Sequence, residues 1–271
     1  MIEKMKAKFK KVHGYELNIQ NPKTFSEKIQ WMKLFGNLEK YSKYVDKYEV
    51  RDFVKDRIGE QYLVPLIQVN NNVKEINFEL LPNSFVMKAT HGCGWNIIVN
   101  DKSNVNEDIE KKKMEQWLKT DYSKKTGEKN YKGIIPRIII EELLQDPSGD
   151  LKDYKIFCFH GVPHHIQVSG NCFNGRARSL FDLNWNKIPV QSGNLSFPEP
   201  LEKPAHLNKM IKLAEKLASD FPFVRVDFYY TNNQIFFGEL TFTPSNGFRC
   251  YKPYSFDKMC GDLLDLYKPF L

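Results

Sequence analysis

The chain has 271 residues, which is long enough to bury a sizeable core as one large domain or as two or three fused lobes. Hydrophobic residues make up 41% of it and charged residues 27%, a composition that is ordinary for a globular protein and that excludes a largely disordered chain. The net charge of +7 fits a nucleic-acid partner and a small anionic substrate equally well, so charge alone does not choose between them.

The cysteines and the hydropathy pattern indicate the cellular compartment of the protein. Five cysteines are scattered along the chain without any Cys-x-x-Cys pair, which argues against a disulfide framework and against a structural zinc site. The chain has no apolar run of about 18 residues, the length that a transmembrane helix needs. Its N-terminus lacks the apolar core of a signal peptide. We therefore expect a cytoplasmic protein without a transmembrane segment.

The first 80 residues are predicted to be mostly helical and to support the rest of the protein. Apolar residues at helical spacing, with lysines between them, predict a basic amphipathic helix over Met1–Val12. This helix could lie on an anionic membrane surface, although packing on its own protein is the more common arrangement. Thr24 and Glu27 have the spacing of a capping box, which predicts a helix start. A further helix is expected over Lys47–Arg57, with Gly59 as its stop signal.

Residues 85–99 have the pattern of a strand, a glycine loop and a second strand. Gly92 and Gly94 would let backbone N–H groups approach phosphate oxygens, and Lys88 would add a positive charge. His91 in the same loop could donate to a phosphate or simply face solvent. The loop matches neither the Walker A pattern nor Gly-x-Gly-x-x-Gly. An ordinary hairpin with a glycine-rich turn therefore remains an alternative to a phosphate-binding loop.

A short apolar strand predicted within residues 136–144 runs directly into two acidic residues, Glu141 and Glu142. Carboxylates at the end of a buried strand are costly unless they leave the core or find partners there. A ligand with hydrogen-bond donors would suit them. Exit of the strand to solvent would explain them equally well.

A hairpin is predicted over residues 153–168. Its first strand puts Lys155 on an otherwise apolar face with Phe157 and Phe159, where a lysine either extends to solvent or meets an anion. The neighbouring residues His164 and His165 should point to opposite faces of the second strand, which does not favour a zinc site.

Two arginines follow this hairpin. Arg176 and Arg178 lie on one face if the chain is extended, and together they could clamp a phosphate or a carboxylate. They could equally be exposed loop arginines. A strongly periodic helix, Leu207–Ser219, then leads into the last hairpin.

The last hairpin has strands over Val224–Tyr230 and Gln234–Phe242, joined by a turn in which asparagines can supply positive φ angles. Alternation places Arg225 and Asp227 on one face of the first strand, and Phe237, Glu239 and Thr241 on one face of the second. Asp227 can then lie beside Glu239. Two carboxylates about 4 Å apart repel by roughly 4 kcal/mol at an effective dielectric constant near 20, so a divalent cation is favoured there. An edge hairpin with solvated carboxylates is the alternative.

The order of these features resembles that of the ATP-grasp superfamily. It consists of a lysine strand with a glycine loop, an apolar strand ending in acids, a second lysine strand, a helix, and then Arg-x-Asp and Glu-x-Thr-x-x-Pro. The resemblance implies an α+β fold in which two α+β lobes sandwich ATP, with a mostly helical N-terminal region. It implies the division into 1–82 for the helical region, 83–143 for the small lobe with the glycine loop, and 144–271 for the large lobe with the metal site and acceptor pocket.

The same resemblance implies roles for individual residues. The nucleotide-binding set would be Lys88, His91, Gly92, Gly94, Glu141, Glu142, Leu143 and Lys155. The magnesium ligands would be Asp227, Glu239 and Thr241, although the superfamily usually has asparagine at the position of Thr241. The catalytic set would be Arg225, which stabilises an oxyanion, together with Lys88 and Lys155. The expected substrate contacts are Arg176, Arg178 and Asn246.

Longer segments resemble the TupA-like branch, which is named for teichuronopeptide biosynthesis and in which threonine at position 241 is normal. The matching segments are Pro22–Trp31, Asp46–Tyr48, His91–Gly92, Pro136–Ile139, Asp153–Lys155, Phe181–Trp185, Phe221–Asp227 and Gly238–Phe242.

The resemblance implies an ATP-dependent ligase that joins a carboxylate to an amine through an acyl phosphate. The carboxylate would be a uronic acid of a bacterial capsule or surface-polysaccharide precursor, either a small molecule or a nucleotide sugar. The implied cofactors are ATP and Mg²⁺, and no nucleic-acid partner is implied. A glycosyltransferase, a sugar kinase and a non-enzymatic binder remain alternatives, although no Asp-x-Asp motif of a glycosyltransferase is present.

Overall fold

The computed structural model describes residues 2–172, 175–193, 196–197 and 200–268. The α-helices within these residues are α1 Ile2–His13, α2 Phe25–Phe35, α3 Ser42–Val45, α4 Val50–Arg57, α5 Glu107–Leu118, α6 Tyr122–Thr126, α7 Leu207–Ala218 and α8 Tyr254–Leu263. The strands are β1 Leu66–Asn70, β2 Phe85–Ala89, β3 Asn96–Val99, β4 Ile138–Glu142, β5 Asp153–Phe159, β6 Val162–Cys172, β7 Gly175–Asp182, β8 Lys187–Ile188, β9 Phe223–Thr231 and β10 Gln234–Thr241.

These elements are grouped into two units, and one of them interrupts the sequence of the other. The larger unit comprises Met1–Asn37 and Pro147–Leu271, and the smaller unit comprises Leu38–Asp146. The smaller unit is thus inserted into the sequence of the larger one. The three-part division 1–82, 83–143 and 144–271 stays a prediction.

Local signals set the helix ends of the N-terminal region. Thr24 caps α2 by accepting from the N–H of Glu27, while the Glu27 carboxylate accepts from the N–H of Thr24, so the predicted capping box is confirmed. The predicted stop of α4 is also confirmed, because Gly59 has φ +110° just after the helix. The strand β1 was not predicted in this region, since its hydrogen-bond partner β4 lies about 70 residues further along the chain.

The smaller unit is built on an antiparallel sheet with the strand order β1-β4-β2-β3. Phe85 and Met87 alternate with Val86 and Lys88 along β2, so one face carries the buried core and the other carries Lys88. Met114 of α5 is fully buried in that core.

The larger unit is built on an antiparallel sheet with the strand order β10-β9-β5-β6-β7-β8. The amphipathic helix α7 packs on β5, β6 and β9. Phe25 of α2 contacts Phe157 and Phe223, which share a face with Lys155 and Arg225 by strand alternation. One end of that face is therefore apolar, and polar residues follow further along the strands.

The N-terminal helices belong to the larger unit. Phe9 of α1 is fully buried and stacks on His13, so α1 packs on its own protein, as its apolar stripe favoured. α2 packs on α8, where the Ser26 N–H donates to Asp257 Oδ1. Among the described residues, no helix combines the length and the apolar character needed to cross a membrane.

A β-bulge at Gly238 corrects one detail of the predicted hairpin. The turn has the expected positive φ angles, +49° at Asn232 and +59° at Asn233. Phe237 pairs with Phe228, whereas Glu239 pairs with Asp227, so Gly238 is an extra residue between them. The prediction that Phe237 shares the face of Glu239 is therefore wrong. The bulge keeps Phe237 buried and still aligns Glu239 with Asp227.

A second bulge changes the prediction for the histidines. His165 pairs with Phe157 and Pro163 pairs with Cys158, so His164 is an extra residue in β6. The Nδ1 atoms of His164 and His165 lie 3.0 Å apart, although simple alternation would separate the rings. Burial lowers the pKa of His165 to about 3, so its ring is neutral.

Candidate functional site

Lys155, Asp227 and Glu239 form one row across three neighbouring strands of the larger unit. Lys155 on β5 is the register partner of Asp227 on β9, and Asp227 is the partner of Glu239 on β10. Lys155 Nζ lies 2.7 Å from Asp227 Oδ2 and 3.4 Å from Asp153 Oδ2. Of the two arrangements that the sequence left open for Lys155, the structure thus shows the one in which the lysine meets anions.

Arg225 links the two carboxylates of this row. Its Nε and Nη2 donate to the two oxygens of Asp227, each at 2.7 Å. The same Nη2 donates to Glu239 Oε1 and to Thr241 Oγ1, each at 3.0 Å. The Thr241 hydroxyl in turn donates to Glu239 Oε1 at 2.9 Å. Arg225 therefore holds the predicted metal ligands in one connected network.

Burial and charge act in opposite directions on this network. Burial opposes the charge of Arg225, but the carboxylates of Asp227 and Glu239 outweigh burial and raise the pKa of Arg225, so the guanidinium stays protonated. Burial also raises the pKa of the Asp227 carboxyl, against the fields of Arg225 and Lys155. The charge of Asp227 therefore depends on the two cations beside it.

The donor set of the row fits a magnesium ion. Among the described residues, no group of three or more His, Cys, Asp or Glu side chains is placed to hold a metal. Mg²⁺, however, is commonly bound through one or two carboxylates, with water and substrate phosphates completing its shell. A guanidinium nitrogen already lies between Asp227 and Glu239, and the Glu239 side chain is 32% exposed. The position thus stabilises a cation and is open to solvent on one side.

A second charged cluster lies in the smaller unit. Lys88 Nζ is 2.6 Å from Glu141 Oε2, and Arg51 Nη1 is 3.0 Å from Glu141 Oε1. Arg51 also donates to the carbonyl of Val64 at 3.0 Å. Glu141 is buried, so it does not leave the core at the end of its strand; it finds its partners there. Two cations therefore share one buried carboxylate.

The glycine loop joins β2 to β3 next to this cluster. His91 is buried, and its Nε2 lies 2.9 Å from the Trp117 carbonyl of α5, while its Nδ1 has no partner among the described residues. Burial lowers the pKa of His91. Gly92 accepts from Lys47 Nζ and has Trp95 against the position of a Cβ atom, whereas Gly94 has φ +74° and open space there. His91 thus anchors the loop, and Gly94 is its more accessible glycine.

The expected nucleotide-binding residues continue from Glu141 to Glu142 and Leu143. Glu142 is the last residue of β4; its side chain is exposed and its N–H donates to the Pro65 carbonyl at 3.0 Å. Leu143 follows the strand and is half-buried. The roles of these residues stay predictions.

Arg176 and Arg178, which were expected to act together, lie on one face of the extended strand β7 but have different printed partners. Arg176 is 63% exposed and pairs with Asp153 at 3.3 Å. Arg178 donates to the Ser192 carbonyl at 3.2 Å, a position that it shares with Arg249. Asn246 lies in a turn with φ +56°, and its carbonyl accepts from Gln30 at 2.9 Å.

Sequence reasoning did not find two of these charged residues. Arg51 lies on a helix whose polar positions look like ordinary surface, and only the packing of α4 brings it to Glu141. Arg249 follows the turn at residues 244–247 without any motif spacing. The only available signal for Arg249 was its position shortly after Asn246, which was already predicted to bind substrate.

The two antiparallel sheets, the charged row of the larger unit and the charged cluster of the smaller unit are the features expected of an ATP-grasp protein. A sequence model described as TupA-like ATPgrasp matches residues 27–265. The chain belongs to the TupA-like ATP-grasp family, and it has the ATP-grasp fold. The superfamily and the branch inferred from the sequence are thus confirmed. No curated protein matches the chain significantly.

Several solved structures resemble the chain at low sequence identity. D-alanine–D-alanine ligase from Bacillus anthracis is 17% identical, with 73% of this chain and 56% of that chain covered and a TM-score of 0.45. The ATP-grasp ligase PsnB in complex with a minimal precursor is 10% identical, with coverages of 84% and 60% and a TM-score of 0.47. Phosphoribosylamine–glycine ligase from Thermotoga maritima is 13% identical, with coverages of 74% and 48% and a TM-score of 0.40. The chain thus spans about half to three fifths of the length of these proteins.

Proposed function

We propose that the protein is an ATP-dependent ligase that joins a carboxylate to an amine through an acyl phosphate. The observation that carries the proposal is the register row Lys155–Asp227–Glu239, linked by Arg225, in a chain of the TupA-like ATP-grasp family. The row combines carboxylates for a cation with fixed positive charges for phosphate. This is the charge pattern that binding of Mg·ATP requires.

The chemistry consists mainly of positioning and charge neutralisation. The substrate carboxylate attacks the γ-phosphorus of ATP and ADP leaves, which gives an acyl phosphate. The amine then attacks the acyl carbon, and inorganic phosphate leaves as the amide forms. Lys88, Lys155 and the backbone of the glycine loop bind the triphosphate. Asp227 and Glu239, with Thr241 beside them, would hold Mg²⁺, and the ion would supply positive charge to the phosphate oxygens.

Arg225 is suited to stabilise the oxyanion that forms when the amine attacks. Its guanidinium is charged and is held by three side chains. These contacts use Nε and Nη2, and Nη1 makes no hydrogen bond within the described residues. A donor fixed in advance in a buried site stabilises developing charge more than a mobile one does.

The proposed carboxylate is a uronic acid of a bacterial surface-polysaccharide precursor. This part of the proposal is supported by the resemblance to proteins named for teichuronopeptide biosynthesis. Arg176, Arg178 and Asn246 are the proposed substrate contacts.

The test measures ADP and phosphate release from Mg·ATP with uronic acids and their nucleotide sugars, with and without amines. The variant is Glu239→Gln, which removes a proposed metal ligand with little change in shape. Glu215→Gln makes the same change at an exposed position of α7 in the same unit and serves as the matched control.

A ligase releases ADP and phosphate only when acid and amine are both present. We expect this release to fall by about 10²–10³-fold in Glu239→Gln and to stay unchanged in Glu215→Gln. ADP release without an amine or free phosphate would instead indicate a sugar kinase. Intact ATP with sugar transferred from the nucleotide sugar would replace the ligase with a glycosyltransferase.

A further inference from the structure

The glycine loop of the smaller unit closes on itself through Trp95. The indole ring lies directly against Gly92, and a Cβ atom at position 92 would meet Trp95 Cε3 at 2.5 Å. The Ala89 N–H donates to the Trp95 carbonyl at 3.0 Å and so closes the base of the loop. The φ angle of Gly92 lies outside the left-handed region, so glycine is required here because it makes room for the ring.

Two helices of the same unit hold the Trp95 ring. Trp117 of α5 lies parallel to it, with the ring centroids 6.3 Å apart and an angle of 6° between the planes. Tyr122 of α6 meets it edge-on at 5.1 Å, and Lys125 Nζ lies 5.9 Å from its centroid. Aromatic and cation–π contacts of this geometry stabilise a structure beyond the burial of apolar area. The conformation of the loop therefore depends on α5 and α6 as well as on β2 and β3.

His91 fixes the loop to α5 at a second point. Its Nε2 lies 2.9 Å from the Trp117 carbonyl, and a carbonyl oxygen can only accept, so Nε2 carries the proton and donates. Burial lowers the pKa of His91, so the ring is neutral and its Nδ1 is an acceptor. Phosphate oxygens are acceptors as well, and this tautomer has no second proton for them. His91 is therefore placed to act on a phosphate through the loop that it anchors.

The backbone between these two anchors presents N–H groups. Lys47 Nζ donates to the Gly92 carbonyl and so fixes the orientation of that peptide group. Within the described residues, the N–H groups of Gly92 and Gly94 donate to no acceptor. Gly94 is exposed, has φ +74° and has open space on its Cβ side. Backbone N–H groups held in a fixed loop favour an oxyanion, so the anchors preset the loop for a phosphate.

We propose that Trp95 and His91 form a latch that holds the glycine loop in the conformation that binds the triphosphate. Both are positioning residues, and they act on the nucleotide through the backbone of residues 92–94. A loop that is ordered in advance loses little conformational freedom on binding, so the latch raises the affinity for the β- and γ-phosphates. This inference rests on the proposed function for the identity of the ligand of the loop.

The test is direct binding by calorimetry, and it does not depend on turnover. The probes are AMP and a non-hydrolysable ATP analogue, each with Mg²⁺. AMP lacks the β- and γ-phosphates, so its affinity reports on folding of the smaller unit, and the ratio of the two affinities reports on the loop. The variants are His91→Leu, His91→Gln, Trp95→Ala and Trp95→Phe. The control is Ile109→Ala, at a position of α5 that is 50% exposed.

Wild type should bind the ATP analogue more tightly than AMP. His91→Leu and Trp95→Ala should weaken binding of the analogue by about 10–100-fold, because the released loop must be ordered on binding, and should leave AMP within about twofold. His91→Gln keeps an N–H group for the Trp117 carbonyl, and Trp95→Phe keeps a ring over Gly92, so both should recover most of the lost affinity. Ile109→Ala should keep both affinities.

A double-mutant cycle isolates the contact between Trp95 and Gly92. Gly92→Ala alone places a methyl group against the indole ring and should weaken binding of the analogue by at least about tenfold. The same change in the Trp95→Ala background meets no ring, so it should add no more than about a twofold loss. A role of Trp95 in general stability alone would not produce this dependence of one substitution on the other.

Three results would overturn the latch. The first is equal affinity of wild type for the analogue and AMP, and the second is a proportional loss of both affinities in His91→Leu and Trp95→Ala. The third is an equal cost of Gly92→Ala with and without Trp95. Amide formation is assayed separately, so a wild type that binds the analogue tightly and never forms an amide contradicts the ligase and leaves the latch intact. The failure of one proposal is thereby distinguished from the failure of the other.

Discussion

Each unit of the molecule holds a buried carboxylate between a lysine and an arginine. Asp227 lies between Lys155 and Arg225 in the larger unit, and Glu141 lies between Lys88 and Arg51 in the smaller one. The two arrangements are alike because a buried carboxylate is stable only when cations and hydrogen bonds replace its hydration.

The two clusters differ in the balance of charge. In the larger unit three cations, Lys155, Arg225 and the more exposed Arg176, face three carboxylates, those of Asp153, Asp227 and Glu239. In the smaller unit the two cations share one carboxylate. The printed ion pairs of the first cluster therefore contain equal numbers of positive and negative groups, whereas those of the second contain one more positive group, so the second is the better suited to an additional anion.

The largest expected effect comes from removing the central carboxylate of each cluster. Asp227→Asn and Glu141→Gln should each lower the free energy of unfolding by about 3–5 kcal/mol, because each leaves two cations without their buried partner. ADP release should also fall by at least about 10²-fold in Asp227→Asn. Chemical denaturation and the ADP assay measure the two effects, and Asp262→Asn in a surface ion pair is the control.

The comparison predicts that added phosphate stabilises these two variants to different extents. Glu141→Gln leaves two positive charges, so phosphate should restore its stability more than it stabilises wild type. Asp227→Asn keeps the carboxylates of Glu239 and Asp153 near its cations, so phosphate should raise its free energy of unfolding much less. Equal recovery of both variants would mean that the charge balance does not distinguish the two clusters.

A third buried carboxylate, that of Asp257, extends the comparison to a site without a paired cation. Asp257 makes no ion pair within the described part of the chain, and burial raises its pKa from 3.8 to about 6. The folded state thus favours the protonated form. The stabilisation linked to the protonated Asp257 carboxyl is complete below pH 3.8 and is lost as the pH rises through about 6.

Asp257→Asn should remove this pH dependence while keeping an oxygen that accepts from the Ser26 N–H. The stability of wild type relative to the variant should therefore fall as the pH rises from about 4 to about 7, by up to about 3 kcal/mol. Denaturant titrations of both proteins across this range measure the difference. A difference that stays constant with pH, or that rises, would show that Asp257 is ionised in the folded protein.

The smallest expected effect concerns Thr241. Thr241→Val removes the hydroxyl that accepts from Arg225 and donates to Glu239. We expect a loss of about 1 kcal/mol in stability and about a tenfold loss in ADP release, while Thr241→Ser should stay near wild type. Equal activity of Val and Ser at this position would remove Thr241 from the proposed magnesium site.

Local sequence patterns predicted much of the candidate site. Strand alternation and an asparagine-rich turn were sufficient to predict the hairpin, because a two-residue turn fixes the register of the residues next to it, whereas Glu239 lies beside Asp227 only because of the bulge at Gly238. The capping box of α2 was predictable for the same reason, since all its contacts lie within four residues.

What the sequence did not predict depends on long-range packing. The bulge at Gly238 arises because Phe237 must be buried while Glu239 stays on the polar face, and alternation alone cannot show an extra residue. Arg51 reaches Glu141 across 90 residues, and Arg249 reaches Ser192 across 57. No spacing rule connects residues that only the folded chain brings together.

The insertion of the smaller unit has a consequence for folding during synthesis. All residues of Leu38–Asp146 are made before β5 is, so the ribosome delivers a complete smaller unit while the larger one exists only as its first 37 residues. The partner of α2 is α8, which is translated more than 200 residues later. At about 5–20 residues per second, the apolar face of α2 is without that partner for roughly 10–40 seconds, which makes the nascent N-terminal segment a natural client for chaperones.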